Sequence, residues 1–499
     1  MYLSSFFSTA LAVVAIAGST VSAAPFPSLP GSITMVRIKP NLQIRYETSE
    51  AHDDNWIGIY YPSYGGPEKE KYVNDAIEWK PAKGENGVVE LDIEKLQPGR
   101  YTVYFLSQGG YKWQSIPIDV VITGSGPLKF IINNFTTHNA RVGDYFDAVI
   151  AGLLGNPEDQ DTNFVKKEGP DWVQVTTDGS LFGTPTAGGL SRVAVEAQAK
   201  SGARALLIVY IPVHNAGASL VEQLSVVTLN LWYGGREVKD AHRKQIQYIA
   251  NSGADVVGLQ ETMDTHGIRL ANALGWHVWQ GKSAAIIARY PIAQVYQATG
   301  VSGAVRLELD GNKREVIVWN AHLADKPYGP YSLCFDRLAP VEVLRHEEES
   351  GREAQMRDIL YKMRPHLGNA KKVPVILTGD FNAPSHLDYT DATRWRHCNA
   401  GRMEWPTSVQ AAKAGLADSF REIHSDPLQV PGNTWSPIYR SNDGRHEPED
   451  RIDFIHHKGL LRPIVAEVDV WGTHRFEPHH ADNEWPSDHA AVRTIFSFP

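Results

Sequence analysis

Val373-Pro-Val-Ile-Leu-Thr-Gly-Asp-Phe-Asn382 passes from an apolar run to an acid and an amide within a few residues. A short apolar run ending at Gly reads as a strand buried on both faces, as in a sheet covered by helices. Asp380 and Asn382 stand at its end, two residues apart, which puts both on one face if the strand continues. The same construction recurs along the second half of the chain. Thr228-Leu-Asn-Leu-Trp232, Val256-Val-Gly-Leu-Gln-Glu261, Asn320-Ala-His-Leu323, Arg451-Ile-Asp453 and Ser487-Asp-His489 each set an acid, amide or imidazole beside an apolar segment. Carboxylates take hard cations, an imidazole moves a proton near neutral pH, and amides hold developing negative charge. Together these groups imply the equipment for metal-assisted hydrolysis of a phosphoester.

Outward from these motifs, strand-like and helical runs alternate. Strands are expected over 224–231, 255–260, 283–288, 304–308, 315–321, 373–379, 452–456, 463–470 and 489–496. Helices are expected over 239–252, 265–274 and 344–367. Such alternation predicts sheets covered by helices in an α/β domain over 222–499. Of the 19 histidines only His52, His138 and His214 precede residue 220, so proton and metal chemistry belongs to this region.

Upstream the pattern is different. After a Pro-rich lead-in over 25–31, short apolar runs and turns alternate (Leu42–Tyr46, Trp56–Tyr61, Tyr101–Leu106 among them) with no helix-length period. This predicts an all-β sandwich over 32–123. Gly124-Ser-Gly-Pro127 reads as a linker, and a second all-β sandwich is expected over 127–214, with Asp178-Gly179 turning a hairpin. His214 to Gln223 reads as a second linker. Neither β region carries a catalytic cluster, so spacing or docking is the role expected of both. Tyr60, Tyr61, Tyr64, Tyr111 and Trp113 of the first are candidates for glycan or surface docking, or for its core.

At the N-terminus, the apolar run Phe6–Gly18 and the small-x-small triplet Val21-Ser-Ala23 predict a signal peptide over 1–23, although no Lys or Arg precedes the run. The run is shorter than the ~20 apolar residues a span needs, so a secreted chain without a transmembrane segment is expected. In an oxidising compartment Cys334 and Cys398 form one disulfide or remain two free thiols. Asn134-Phe-Thr136 is a glycosylation sequon that secretion makes usable. The net charge of -9 argues against a tight non-specific nucleic-acid binder, whose affinity comes from neutralising phosphates.

The six motifs, in this order over about 222–499, resemble the endonuclease/exonuclease/phosphatase superfamily, with its deoxyribonuclease I-like four-layer α/β sandwich. Asn55-Trp-Ile-Gly-Ile-Tyr60 and Pro98-Gly-Arg-Tyr-Thr-Val-Tyr-Phe105 resemble SKICH-like β-sandwich modules. Pro170-Asp-Trp-Val-Gln-Val175 with Asp178–Thr186 resembles immunoglobulin- or cadherin-like ones. The superfamily resemblance implies a magnesium site, with manganese or another divalent cation as substitute, at Glu261, Asn230 and Asp488. It implies a catalytic set of His489 paired with Asp453, Asp380 orienting the water or the histidine, Asn382 donating to a phosphoryl oxygen, and His322 on the leaving-group side. Which histidine is base and which is acid stays open. Ala321 stands where many relatives have Thr, which removes a supporting hydroxyl.

His456-His457 and His479-His480 sit as adjacent pairs, so on a strand they face opposite ways; solvated or partner-paired histidines are expected there rather than ligands. His386 is an extra candidate for substrate contact. Arg352 and Gln355 are expected to be structural, and the loop 324–338 to shape the pocket. The inositol 5-phosphatase branch carries an aromatic-Cys-Asp-Arg-Ile box, and Glu447-Pro-Glu-Asp-Arg-Ile452 departs from it. The resemblance thus implies a secreted phosphoesterase, a phosphodiesterase above all, with the class of phosphoester open. A secreted nuclease, and a surface- or glycan-binding protein on the same fold, are the alternatives.

Overall fold

The computed structural model describes residues 29–499 apart from 39–40, 61–65, 68–69, 73–74, 94–95, 97–98, 123–127, 156–161 and 264. The signal peptide, the Gly124–Pro127 linker, Tyr61 and Tyr64 lie outside the described residues.

Two six-stranded sheets make up the C-terminal part. One runs His277–Gln280, Ala284–Ala288, Val256–Gln260, Gln223–Asn230, Ala491–Ser497, Arg462–Asp469. The other runs Ile292–Tyr296, Ser302–Glu308, Glu315–His322, Val375–Asp380, Asp453–Lys458, Ala417–Asp418. Val226, Val256 and Ile286 of the first sheet pack on Val305, Val318 and Ile376 of the second in one buried cluster. Helices Ala241–Asn251 and His266–Leu274 cover the outer face of the first sheet through Ile246, Ile249 and Leu270. Helix Arg352–Gly368 covers the second through Met356, Ile359 and Met363. The order is helix, sheet, sheet, helix, which explains why the central strands read as unbroken apolar runs.

The topology gathers the polar motifs. In each sheet two parallel strands end on the same edge where their antiparallel neighbour begins: Gln223–Asn230 and Val256–Gln260 beside Ala491–Ser497, and Glu315–His322 and Val375–Asp380 beside Asp453–Lys458. The motif residues at those strand ends therefore share one edge of the double sheet.

Three expectations change. The helix expected over 344–367 is two helices, Pro340–Glu349 and Arg352–Gly368, interrupted where Gly351 takes φ 81°, a left-handed conformation that glycine adopts without steric cost. Edge strands His277–Gln280 and Ile292–Tyr296 were not expected. The Val375–Asp380 strand does not continue through Asn382, which takes φ 50°; Asn382 is placed by a turn and not by strand alternation.

The upstream regions contain strands. Gly31–Arg37, Leu42–Thr48 and Asn86–Leu91 form one sheet, and Glu78–Pro81, Trp56–Tyr60, Gly99–Leu106 and Ile118–Ile122 another, sharing a core of Leu42, Ile44, Ile57, Val103 and Phe105. Residues 128–214 form two further sheets, and Gly179, at φ 86°, turns the hairpin after Asp178. This second region is joined to the C-terminal part by a continuous core: Phe130, Ile150 and Leu153 cluster with Ile246, Leu270 and Leu274. Arg289 donates across the junction to the Thr136 and Thr137 carbonyls at 3.0 and 2.9 Å. No helix among the described residues is long and apolar enough to cross a membrane.

Candidate active site

Asp453 begins its strand fully buried, and its Oδ2 lies 2.9 Å from His489 Nδ1. The other ring nitrogen of His489, Nε2, lies 3.8 Å from Asp380 Oδ2, and His322 Nε2 approaches the same oxygen, also at 3.8 Å. Asp380 thus stands between two imidazoles, His322 at the end of a second-sheet strand and His489 just before the first sheet's Ala491–Ser497 strand. Its orientation is set from both sides: Asn230 Nδ2 donates to Oδ2 at 3.0 Å and the Asn382 backbone N–H to Oδ1 at 2.8 Å. His322 is held at its far nitrogen by Ser283 Oγ at 2.8 Å. The Asn382 side chain donates to the Leu323 carbonyl.

Electrostatics follows from burial and this pairing. Burial pulls the His489 imidazole down, but the charges of Asp453 and then Asp380 outweigh it and hold the ring well above its ordinary range. Burial, followed by the Asp453 charge, pushes the Asp380 carboxyl up. Asp488, the next residue along from His489, is buried; its carboxyl is pushed up to about 8, first by burial and then by the charge of Glu261, with His489 opposing.

Glu261 takes φ 54° immediately after its strand, and its Oε2 accepts from the Tyr233 backbone N–H. A buried carboxylate and a half-buried one acting on each other suit a hard divalent cation with oxygen ligands, so Asp488 and Glu261 fit such an ion. Both ends of the Asn230 amide are engaged, Nδ2 on Asp380 and Oδ1 on the Trp232 N–H, so its observed work is to orient Asp380. Asp380, Asp453 and His489 also form a buried acid–acid–imidazole group with ligand atoms within 4.8 Å of one another. Its imidazole Nδ1 is already engaged by Asp453.

Several contributing residues escaped the sequence reading. Asn320 and Gln260 belong to quoted motifs, yet they lie beneath the site as a buried amide bridge between sheets. Gln260 Nε2 donates to Asn320 Oδ1 at 2.7 Å, and Asn320 Nδ2 donates to the Leu259 and Ala285 carbonyls. Gly258 makes room for it: a Cβ there would lie 2.2 Å from Thr378 Oγ1. Thr434 Oγ1 accepts from the Ile452 and Asp453 N–H groups, and the Trp435 ring lies 5.0 Å from the His489 ring. Both come from a stretch with no period to betray it. Ser487, inside the Ser-Asp-His motif, ties the segment before the Ala491–Ser497 strand to the end of its neighbour Gln223–Asn230 by donating to the Asn230 carbonyl at 2.6 Å.

The remaining residues singled out from sequence sit around the site. Arg451 is fully buried and pairs with Asp388 and Asp418, anchoring the strand that carries Asp453. Arg352 pairs with buried Glu347 and donates to the Ala324 and Pro327 carbonyls, while Gln355 accepts from the Ala324 N–H; both hold the loop after His322. Cys334 and Cys398 form a disulfide that ties the far end of that loop down. His386 contacts Ser408, His457 pairs with Glu422 at 2.8 Å, and His456 is buried against Phe381. His456 and His457 are therefore packed and partnered rather than solvated.

Residues 227–489 match the model of the Endonuclease/Exonuclease/phosphatase family. The chain belongs to that family. An uncharacterized protein of Caenorhabditis elegans is 31% identical over 291 residues, spanning 55% of this chain and 91% of the worm protein. Among solved structures, truncated Caenorhabditis elegans TDP2 aligns at 18% identity and a TM-score of 0.38, over 55% of this chain and 98% of that one. The human Nocturnin catalytic domain with bound sulfate aligns at 20% identity and a TM-score of 0.37, over 56% and 97%. Members of this family are generally hydrolases of phosphoesters that use divalent metals, and the deoxyribonuclease I-like fold accounts for the two-sheet architecture.

Proposed function

We propose that the chain is a secreted, magnesium-dependent phosphodiester hydrolase that works by in-line attack of water. The observation that carries this reading is the array Asp453–His489–Asp380–His322, buried except at half-buried His322 and assembled at the shared edge of the two sheets. In the neutral form of the ring, which the positive charge of a bound cation would favour over the imidazolium, His489 Nε2 accepts the proton of the attacking water as its oxygen forms the bond to phosphorus. Asp453 on Nδ1 fixes the ring and stabilises the imidazolium that results. Asp380 orients the water between the two imidazoles. As the bond from phosphorus to the leaving oxygen breaks, that oxygen keeps the electron pair and takes a proton from His322 Nε2, while Asn382 supplies a polar group to the phosphoryl oxygens. A divalent cation, held by Glu261 and Asp488, supplies neutralisation of phosphoryl charge when bound. The disulfide and the sequence features of residues 1–23 support secretion.

Turnover of plasmid DNA, RNA, sphingomyelin, phosphatidylinositol and a chromogenic phosphodiester, with magnesium, with chelator and with His489→Ala, tests the reading. Hydrolysis of one class that disappears in both controls is expected. Turnover indifferent to chelator, or equal in His489→Ala, would refute it.

A further inference from the structure

Among the buried acids that the catalytic array does not use, Glu447 is partnered in an unusual way. It is 1% exposed, and no Lys, Arg or His among the described residues forms an ion pair with it. A carboxyl taken out of water is costly unless its oxygens find donors. Here a single oxygen, Oε1, accepts from both the Trp435 indole N–H and the Tyr331 hydroxyl, each at 2.7 Å. Burial, and then this bond, push the Tyr331 phenol well above its ordinary range, so its proton stays on the hydroxyl and donates.

The Trp435 backbone is fixed on both sides, by N–H and carbonyl pairing with Asp450 at 3.0 Å each and by a bridge to His489. That pairing does not fix the side chain. The indole is half-buried, with its ring 5.0 Å from the His489 ring and 5.4 Å from the Tyr439 ring. The N–H is its one polar group, so the bond to Glu447 selects the rotamer that keeps the ring against His489. His489 needs such a stop. The hydrogen bond between Nδ1 and Asp453 at 2.9 Å leaves the imidazole free to rock about it, which would carry Nε2 away from Asp380.

Glu447 is itself held through its second donor. Tyr331 lies on the short helix Gly329–Cys334, in the loop that follows His322, and the last residue of that helix is bonded to Cys398. Tyr328, just before the helix, donates to Asp450. Beside Cys398, His397 stacks on Tyr389 at 3.8 Å, and Tyr389 donates to the same Asp450 carboxyl. The route Tyr331–Glu447–Trp435–His489 thus starts on a tethered segment and ends on the imidazole.

We propose that Glu447 is a positioning residue for His489, acting through the Trp435 indole; this role rests on the hydrolytic reading of the His489 array. Two measurements on the full chain test it. In turnover of a chromogenic phosphodiester, Glu447→Ala should lower kcat by about 10–100-fold with KM little changed. Glu447→Gln keeps an acceptor oxygen and should recover most of that loss. Trp435→Phe removes the same bond from the donor side, so it should lose a similar factor, and adding Glu447→Ala to it should cost little more. Losses that multiply in the double variant, or Glu447→Gln as slow as Glu447→Ala, would overturn the proposal. Without substrate, the downfield proton resonance of His489 Nδ1, identified by its absence in His489→Ala, should shift or broaden in Glu447→Ala and in Trp435→Phe but not in Glu447→Gln. An unchanged resonance in Glu447→Ala or, where that variant does not fold, in Trp435→Phe would overturn the proposal whatever the activity. Parent turnover equal to that of His489→Ala, with the resonance behaving as expected, would sink the hydrolytic reading alone.

Discussion

Asp450 offers the sharpest quantitative test of the packing behind the active site. Its carboxyl is buried, and accepts from the Tyr328 hydroxyl at 3.1 Å and the Tyr389 hydroxyl at 3.0 Å. Its backbone pairs with Trp435, whose ring lies against His489. Burial is the main cause that raises this acid from 3.8 to about 7; the two tyrosine hydroxyls oppose it, while the Asp388 and Glu447 charges add to it. The folded state therefore keeps a proton that the unfolded chain has lost between about pH 4 and pH 7. Stability from this group is complete below the unfolded value and is lost as pH rises through the folded one. At 1.36 kcal/mol per tenfold, the loss amounts to about 4 kcal/mol. Asp450→Asn removes the charge and keeps the shape: the amide oxygen accepts from one tyrosine, and the amide nitrogen donates to the other once its hydroxyl rotates. In urea denaturation of both proteins from pH 4 to pH 8, the variant should gain on the parent by about 1.4 kcal/mol per pH unit up to about pH 7, then hold constant. A stability difference that stays flat across that range, or moves the other way, would refute the assignment of a buried neutral acid.

Three further outcomes follow from the site and its frame. Asp453→Asn should lower kcat on a chromogenic phosphodiester by about 10²–10⁴-fold, the range for disabling a positioned proton carrier, with the circular dichroism spectrum retained. Glu261→Gln should raise the magnesium concentration for half-maximal activity at least tenfold and weaken magnesium binding in calorimetry; an unchanged calorimetric titration would remove Glu261 from the metal site. Replacing Cys334 and Cys398 together by Ser opens a loop of sequence separation 64, which should lower unfolding free energy by about 4 kcal/mol on the chain-entropy estimate, read by urea denaturation.

Much of the site was readable because its chemistry sits at strand ends. An apolar run that stops at Glu261, His322 or Asp380 states both the strand and the polar residue at its mouth, and the parallel–antiparallel topology brings those mouths together. The amide bridge was not readable, although Gln260 and Asn320 were in view. A buried amide at a strand end looks the same whether it faces a substrate or the opposite sheet; only the facing of two sheets distinguishes them. Thr434 and Trp435 were invisible for another reason: they act through backbone pairing with Asp450 and through the Thr434 hydroxyl, which accepts from the Ile452 and Asp453 N–H groups, contacts that leave no period in the sequence. The helix break at Gly351 was marked by a glycine, but the apolar pattern on either side ran through it.

The arrangement beneath the site also explains why two sheets are needed. His322 ends a strand of the second sheet and His489 lies just before the Ala491–Ser497 strand of the first, and both must face one carboxylate, Asp380, at 3.8 Å. That spacing is set by how closely the sheets approach at their polar edge. Apolar packing alone leaves the approach free to adjust, because side chains of different size fill the gap almost equally well. Directional hydrogen bonds do not adjust so freely. The Gln260–Asn320 bond at 2.7 Å joins the sheets directly, and Thr378 reaches the same Asn320 oxygen at 3.0 Å. Gly258 is required because any side chain there would part those partners. Gln260 Oε1 is buried without a hydrogen-bond partner, so the network has a cost in desolvation, but its directional bonds specify one separation where an apolar interface permits several. Proton handling between two imidazoles requires that specification, and this is the physical reason for burying amides where an aliphatic core would otherwise continue.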